Sequence, residues 1–280
     1  MHVDAHVHVF PPSFTARRQE LAQRDVTFQA LYANPKAKLG SVDELLASMD
    51  RNRIQMAVLA NIGWATAELC RETNDHLLEA AQAHPTRFVA LCSVNPRLGE
   101  VAVEEFQRSL VLGAHGLGEL HPDPQGFALG DLAVMRDLMA LAEAYQVPVL
   151  THSSEPVGHS YDGKGNVTPA SLTSFVTNFP KVRIICAHWG GGLPFYALMP
   201  EVRAALANVW FDSAVSPLLY EAAVFERVAD LVGVEKILFG SDFPLVRHER
   251  LLQQVSDAKL SSEAKERILG RNAASLFGLK

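Results

Sequence analysis

Val182-Arg183-Ile184-Ile185-Cys186-Ala187-His188 is an almost unbroken apolar run that ends on a histidine. Val147 to Ser153 repeats the pattern with His152 near its end, and Lys236 to Ser241 repeats it again just before Asp242. Continuous apolar runs of this length fit parallel strands covered on both faces. Working outward, five more runs read as strands: Met1 to Val9, Met56 to Ile62, Phe88 to Val94, Gly116 to His121 and Val209 to Ser213. Longer stretches of helical period separate them, including Ser41 to Asn52 behind an N-cap at Ser41, Thr66 to His84 and Leu132 to Tyr145. Two further helices follow the last strand, near His248 to Ala258 and Ser262 to Phe277. Eight strands alternating with helices predict an α/β chain built as a (β/α)8 TIM barrel. Pro11 to Leu39 departs from the alternation, being polar and poorly periodic, and is expected as an inserted loop at the mouth above the first strand. Without a repeat or a Gly/Ser linker, residues 1–280 read as a single domain.

The 280 residues are 48% hydrophobic and 20% charged, enough apolar material to exclude disorder as the main state. Lys and Arg total 25 against 31 Asp and Glu, so no basic field exists to draw in nucleic acid. No apolar run approaches the roughly 20 residues of a membrane span, and Met1-His2-Val3-Asp4 lacks the pattern of a signal peptide. A cytoplasmic protein acting on a small molecule is the expectation; Pro11 to Leu39 reads as a lid, as a contact should the chain form a homodimer, or as a plain excursion. Cys70, Cys92 and Cys186 form no CxxC pair and read as buried thiols.

The histidines carry the chemistry. In Asp4-Ala5-His6-Val7-His8 the two-residue period of a strand puts both imidazoles on one face, about 7 Å apart, where they can converge on one ion. His152, His188 and Asp242 stand at later strand ends, and in a barrel those ends meet at one rim. Glu119 ends the fourth strand, either as a carboxylate bridging two metals or as an acid paired with a nearby cation. Asp4, read on the face of His6 and His8, orients a ligand or pairs with a neighbour.

The ordered set His6-Val7-His8, Thr151-His152, Ala187-His188-Trp189-Gly190-Gly191 and Gly240-Ser241-Asp242-Phe243-Pro244 resembles the amidohydrolase superfamily. Within it, the chain is similar to the amidohydrolase-related group that also contains aromatic-acid decarboxylases. The resemblance implies a distorted (β/α)8 barrel in which His6, His8 and His152 bind a divalent metal, usually zinc, as one or two ions. It implies that His188 binds a second metal or hydrogen-bonds substrate, and that Asp242 contacts the metal and handles the proton of bound water. No lysine matches the carbamylated ligand of other branches; Glu119 in its place looks like the TatD-type nucleases.

The leading expectation is a metal-dependent hydrolase that cleaves a small amide, lactone or ester with Asp242 as general base. The alternative on the same scaffold is a non-oxidative decarboxylase of an aromatic or unsaturated acid. A phosphoesterase or nuclease and a non-catalytic metal-binding protein stand further off. His121, His159, Arg247 and His248 fall in or beside rim loops and are the candidate substrate contacts, while Trp64 and Trp189 read as rim or core.

Overall fold

The structure, a computed structural model, describes residues 1–161 and 163–279. Eight parallel strands follow one another in space as in sequence: β1 (Val3–Val7), β2 (Met56–Leu59), β3 (Phe88–Ala90), β4 (Leu117–Leu120), β5 (Val149–Thr151), β6 (Ile184–Cys186), β7 (Val209–Asp212) and β8 (Ile237–Leu238). β1 to β3 and β4 to β8 are two continuous ladders. Residues just past the strand ends join the ladders into a ring. Gly118 N–H donates to the Cys92 carbonyl at 2.7 Å, while Asp242 N–H donates to His6 (2.9 Å) and His8 N–H to Phe243 (2.7 Å). The predicted barrel is therefore present. Its strands are shorter than the apolar runs because the last residues of each run bend to the rim.

Strand residues alternate between two cores. Val58, Leu150, Ile185 and Leu238 form one cluster, joined by Leu276 and Phe277 of the terminal helix Asn272–Phe277, which packs against β1 and β8. Leu59, Val149, Ile184 and Phe211 face the other way, against Phe106, Leu138, Phe175 and Phe225 of the surrounding helices. Among the described residues no helix is long and apolar enough to cross a membrane, and the three cysteines are free and buried.

Pro11 to Leu39 is an insertion, but its first part is helical rather than a loop. It folds as α1 (Ser13–Arg24) and α2 (Val26–Tyr32). The buried Phe14, Leu21 and Phe28 recur every seventh residue, a stripe too thin to register as helical period. Asp25 ends α1 and caps α2, its carboxylate accepting from Phe28 N–H at 2.9 Å and Ala65 N–H at 2.7 Å. Phe28 stacks on Trp64 at 5.6 Å and Phe14 meets it edge-on at 5.7 Å, so Trp64 is core. Trp189 is core as well, its indole N–H donating to Ser216. The next helix, α3 (Val42–Asn52), opens with the expected cap, Ser41 and Glu44 bonding each other's backbone amides.

Candidate active site and metal centre

Two bulges aim the first ligands. Between the pairs Asp4–Ala57 and Val7–Leu59, β1 spends two residues where β2 spends one. The extra residue turns His6 and His8 toward Glu119 across the barrel while Asp4, two residues earlier, points outward to the helix His248–Asp257. Asp4 and His6 thus lie on opposite faces, contrary to the simple period of two. β4 repeats the device: Gly118 and Glu119 together oppose Leu150. Gly118 has φ +138°, and a Cβ there would lie 2.4 Å from the Leu150 carbonyl oxygen, so only glycine lets Glu119 swing inward.

The side chains so placed converge. The Nε2 atoms of His6 and His8 are 3.0 Å apart. Glu119 Oε2 lies 3.3 Å from the first and 3.5 Å from the second, and Asp242 Oδ1 lies 3.2 Å from His8 Nε2. Glu119 Oε1 faces His152 Nδ1 at 3.0 Å and His188 Nε2 at 3.7 Å. All are buried except the Asp242 side chain, which keeps 14% of its surface exposed.

The outer ring nitrogens decide what the inner ones offer. His6 Nδ1–H donates to Asp212 Oδ2 at 2.8 Å and His8 Nδ1–H to the Ala60 carbonyl at 3.0 Å. Both partners only accept, so each neutral ring turns the Nε2 lone pair inward. Two such lone pairs at 3.0 Å, flanked by two carboxylates, repel unless positive charge sits between them. A divalent cation with nitrogen and oxygen ligands near 2.1 Å fits that donor set.

His188 and Asp242 are held in left-handed backbone, at φ +53° and +61°, a conformation that costs about 1–3 kcal/mol and persists where the surroundings impose it. Asp212 imposes it at His188, its Oδ1 accepting the His188 N–H at 2.9 Å. Burial by itself lowers the His188 pKa, but its hydrogen bond to Glu119 and the charges of Glu119, Asp242 and Asp212 outweigh it, giving about 9. Burial likewise works against Asp242, yet His8, His6 and His188 bring its carboxyl down to about 2. Glu119 is held well below its ordinary value against burial by the imidazoles around it, and burial takes His121 down to about 4.

The structure therefore gathers His6, His8, Glu119, His152, His188 and Asp242, with His121 stacked on His152 at 4.9 Å. It does not gather the rest. His159 is exposed beside Tyr161 on the loop after β5, and Arg247 is exposed at the cap of the helix His248–Asp257. His248 is not a substrate contact: as the first residue of a helix on the barrel's outside it is fully enclosed, 2.8 Å from both Asp4 Oδ2 and Ser48 Oγ. Sequence reasoning missed Asp212, although it ends the strand Val209-Trp210-Phe211-Asp212 as His152 and Asp242 follow theirs. It also missed Tyr32 of α2, whose phenol is pushed up by burial and by the charges of Asp242 and Glu119. The loop after β5 reaches α2 as well, Gly163 lying against Leu31. The insertion thus shares the mouth with that loop.

A family model described as Amidohydrolase matches residues 3–279. The chain belongs to the amidohydrolase family. Among its amidohydrolase-like relatives, a 2-amino-3-carboxymuconate-6-semialdehyde decarboxylase of Dictyostelium discoideum is 21% identical, over 99% of this chain and 91% of that protein. Decarboxylase orsB of Emericella nidulans is 26% identical, over 84% and 85%. The same fold occurs in the 5-carboxyvanillate decarboxylase of Novosphingobium aromaticivorans, solved with manganese, at a TM-score of 0.82 and 17% identity over 100% of this chain and 96% of that one. These relatives overturn the expectation of a hydrolase cleaving an amide, lactone or ester: they are named for removing a carboxyl group. Nor do they support zinc in particular, since the structural relative holds manganese.

Proposed function

We propose that this amidohydrolase-family chain is a metal-dependent decarboxylase that releases CO2 from an aromatic or unsaturated carboxylic acid without oxidation. The observation that carries the reading is the match to a decarboxylase along 99% of the chain. The site has the parts such a reaction needs. His6, His8, Glu119 and Asp242 are the residues that would hold the cation, with His152 on the second oxygen of Glu119. A divalent ion there, manganese as in the Novosphingobium enzyme, supplies positive charge that draws in and orients an anionic substrate. His188 is the acid: its Nδ1 is tied to the Ala214 carbonyl at 3.2 Å, which turns Nε2 into the cluster, 3.7 Å from Glu119 Oε1, as the atom that would deliver a proton. That proton forms the new C–H bond at the carbon bearing the carboxylate. The C–C bond then breaks, its electron pair restores the conjugated system, and CO2 leaves.

The test is to incubate the manganese-loaded protein in D2O with a panel of aromatic and muconate-type acids, including 2,6-dihydroxybenzoate. The expected result is CO2 release with one deuterium at the vacated carbon. No CO2 from any acid of the panel, together with hydrolysis of esters or lactones, would remove the reading.

A further inference from the structure

Glu105 is an enclosed carboxylate that takes no part in the chemistry of the site. It stands on the helix Glu100–Val111, outside the barrel. Burial pushes its carboxyl up, but its bonds to Arg108 and Asn74 outweigh burial and bring it below its ordinary value. Arg108 Nε donates to Oε2 at 2.8 Å and Nη2 to Oε1 at 2.7 Å. A charge enclosed in this way needs its partners, and the inward ones lead toward the cation site.

Asn74, on the facing helix Ala67–Ala83, donates from Nδ2 to Glu105 Oε1 and to the Ser93 carbonyl, both at 2.9 Å. Its Oδ1 accepts from Ser93 N–H at 2.7 Å and from Asn61 Nδ2 at 3.1 Å. Asn61 Nδ2 gives its second hydrogen to Thr73 Oγ1 at 2.6 Å, and Asn61 Oδ1 accepts the Trp64 indole N–H at 2.8 Å. Both side chains are buried and every hydrogen of both amides is used. Neither an aliphatic residue nor a carboxylate satisfies that pattern.

The main chain of Asn61 carries the pattern into the site. The bulge in β4 takes Glu119 out of its ladder with β5, and its N–H donates instead to the Asn61 carbonyl at 2.6 Å. Asn61 N–H returns a bond to the Gly118 carbonyl at 3.2 Å. The preceding carbonyl, that of Ala60, is the acceptor that orients the His8 ring. Two consecutive carbonyls just past the end of β2 thus fix two of the residues that would hold the cation. The Asn61 side chain ties them to the outer helices.

We propose that Asn61, Asn74 and Glu105 are positioning residues for the cation site. They form a buried chain of hydrogen bonds, running from Arg108 to the carbonyls of Ala60 and Asn61, that sets where His8 and Glu119 stand and hence how tightly the cation is held. They act through the main chain of Asn61. The inference goes beyond the decarboxylase reading and holds whichever reaction the site performs.

The test is manganese affinity, measured by competition with a chelator on the folded full-length protein. Asn61→Ala and Glu105→Gln are each expected to lower it roughly three- to tenfold, the worth of one hydrogen bond. The two together are expected to stay within twofold of Asn61→Ala alone, because Glu105 acts through Asn61. Asn61→Asp, of the same size, puts an oxygen where Nδ2 donates and is a second way to break the chain. Val176→Ala, a core truncation on the helix Pro169–Asn178 and outside the chain of bonds, is expected to leave the affinity unchanged. Affinity within twofold of wild type in Glu105→Gln overturns the proposal. So do losses that multiply in the double variant, or a loss in Val176→Ala equal to that in Glu105→Gln. Should neither Asn61 variant fold, the comparison of Glu105→Gln with Val176→Ala decides alone. The readout needs no turnover, so failure of the decarboxylase reading shows separately, in the absence of CO2.

Discussion

His6 and His8 point their Nε2 atoms at each other across 3.0 Å, each ring having given its Nδ1–H to an acceptor behind it. The pair is stable only with positive charge between the two lone pairs, whether protons or a metal ion. This makes the centre a competition between protons and a cation.

His6→Ala is expected to abolish stoichiometric manganese, read as metal per chain after purification without chelator. His159→Ala and Arg247→Ala, at exposed positions, should leave the content unchanged. Equal loss in all three would disconnect the metal from the buried cluster.

Asp212→Asn keeps the shape behind His6 and removes the charge. Asp212 takes Nδ1–H of His6 on one oxygen and the backbone amides of His188 and Ala214 on the other. An amide offers a single acceptor oxygen, so one side loses its bond. Manganese affinity should fall about 10–100-fold, measured by competition with a chelator. An affinity within twofold of wild type would show that the ring behind the ligand does not depend on that carboxylate.

The metal-free protein should lose stability as pH rises from about 6.5 to 9. His188 binds its proton more tightly folded than unfolded, because Glu119, Asp242 and Asp212 outweigh its burial, so its contribution is complete below pH 6.5 and gone above the folded value of about 9. His6 shifts in the same direction, through Asp212 and Glu119. Thermal melts of metal-free protein at pH 6.5 and 9 measure this, and a higher midpoint at pH 9 contradicts it. Asp242 acts oppositely, its share being lost as pH falls from about 4 toward 2.

His248→Ala should destabilise the fold by about 3–5 kcal/mol, because it leaves the Asp4 carboxylate buried without its partner. Asp4 Oδ1 accepts the amides of His6 at 3.1 Å and Ser241 at 2.9 Å, tying together the segments that bear His6, His8 and Asp242. Denaturant unfolding gives the energy, and weaker manganese binding in the folded variant reports the slackened tie. A loss below 1 kcal/mol would mean that water replaces the imidazole.

Phe28→Ala should cost about 3–5 kcal/mol, since the ring is fully buried against Phe10, Phe14 and Trp64. A surface-like effect under 1 kcal/mol would mean that α1 and α2 do not pack as described.

The barrel was legible because its strands are buried on both faces and spell themselves as unbroken apolar runs, with chemistry-bearing residues at their ends. The bulges were not: an extra residue in β1 leaves no mark in composition, yet it puts Asp4 and His6 on opposite faces. His248 misled for a related reason, as closeness in sequence to Asp242 says nothing about the chain turning down the outside after Pro244. Helix period failed in the insertion, where Phe14, Leu21 and Phe28, one buried residue in seven, suffice because all three are large and pack with Phe10 and Trp64. The hydrolase and decarboxylase readings rest on the same motif residues, so the motifs did not separate them; what favours the second is the relatives that match along the chain.

Phe10, Phe14, Leu21, Phe28, Ile62 and Trp64 form a core of their own, separate from the two that hold the barrel. A canopy with an independent interior can be rebuilt by mutation without disturbing the strands that fix His6, His152 and Asp242. Changes of substrate preference in engineered or diverged versions of this chain should therefore accumulate in residues 10–39.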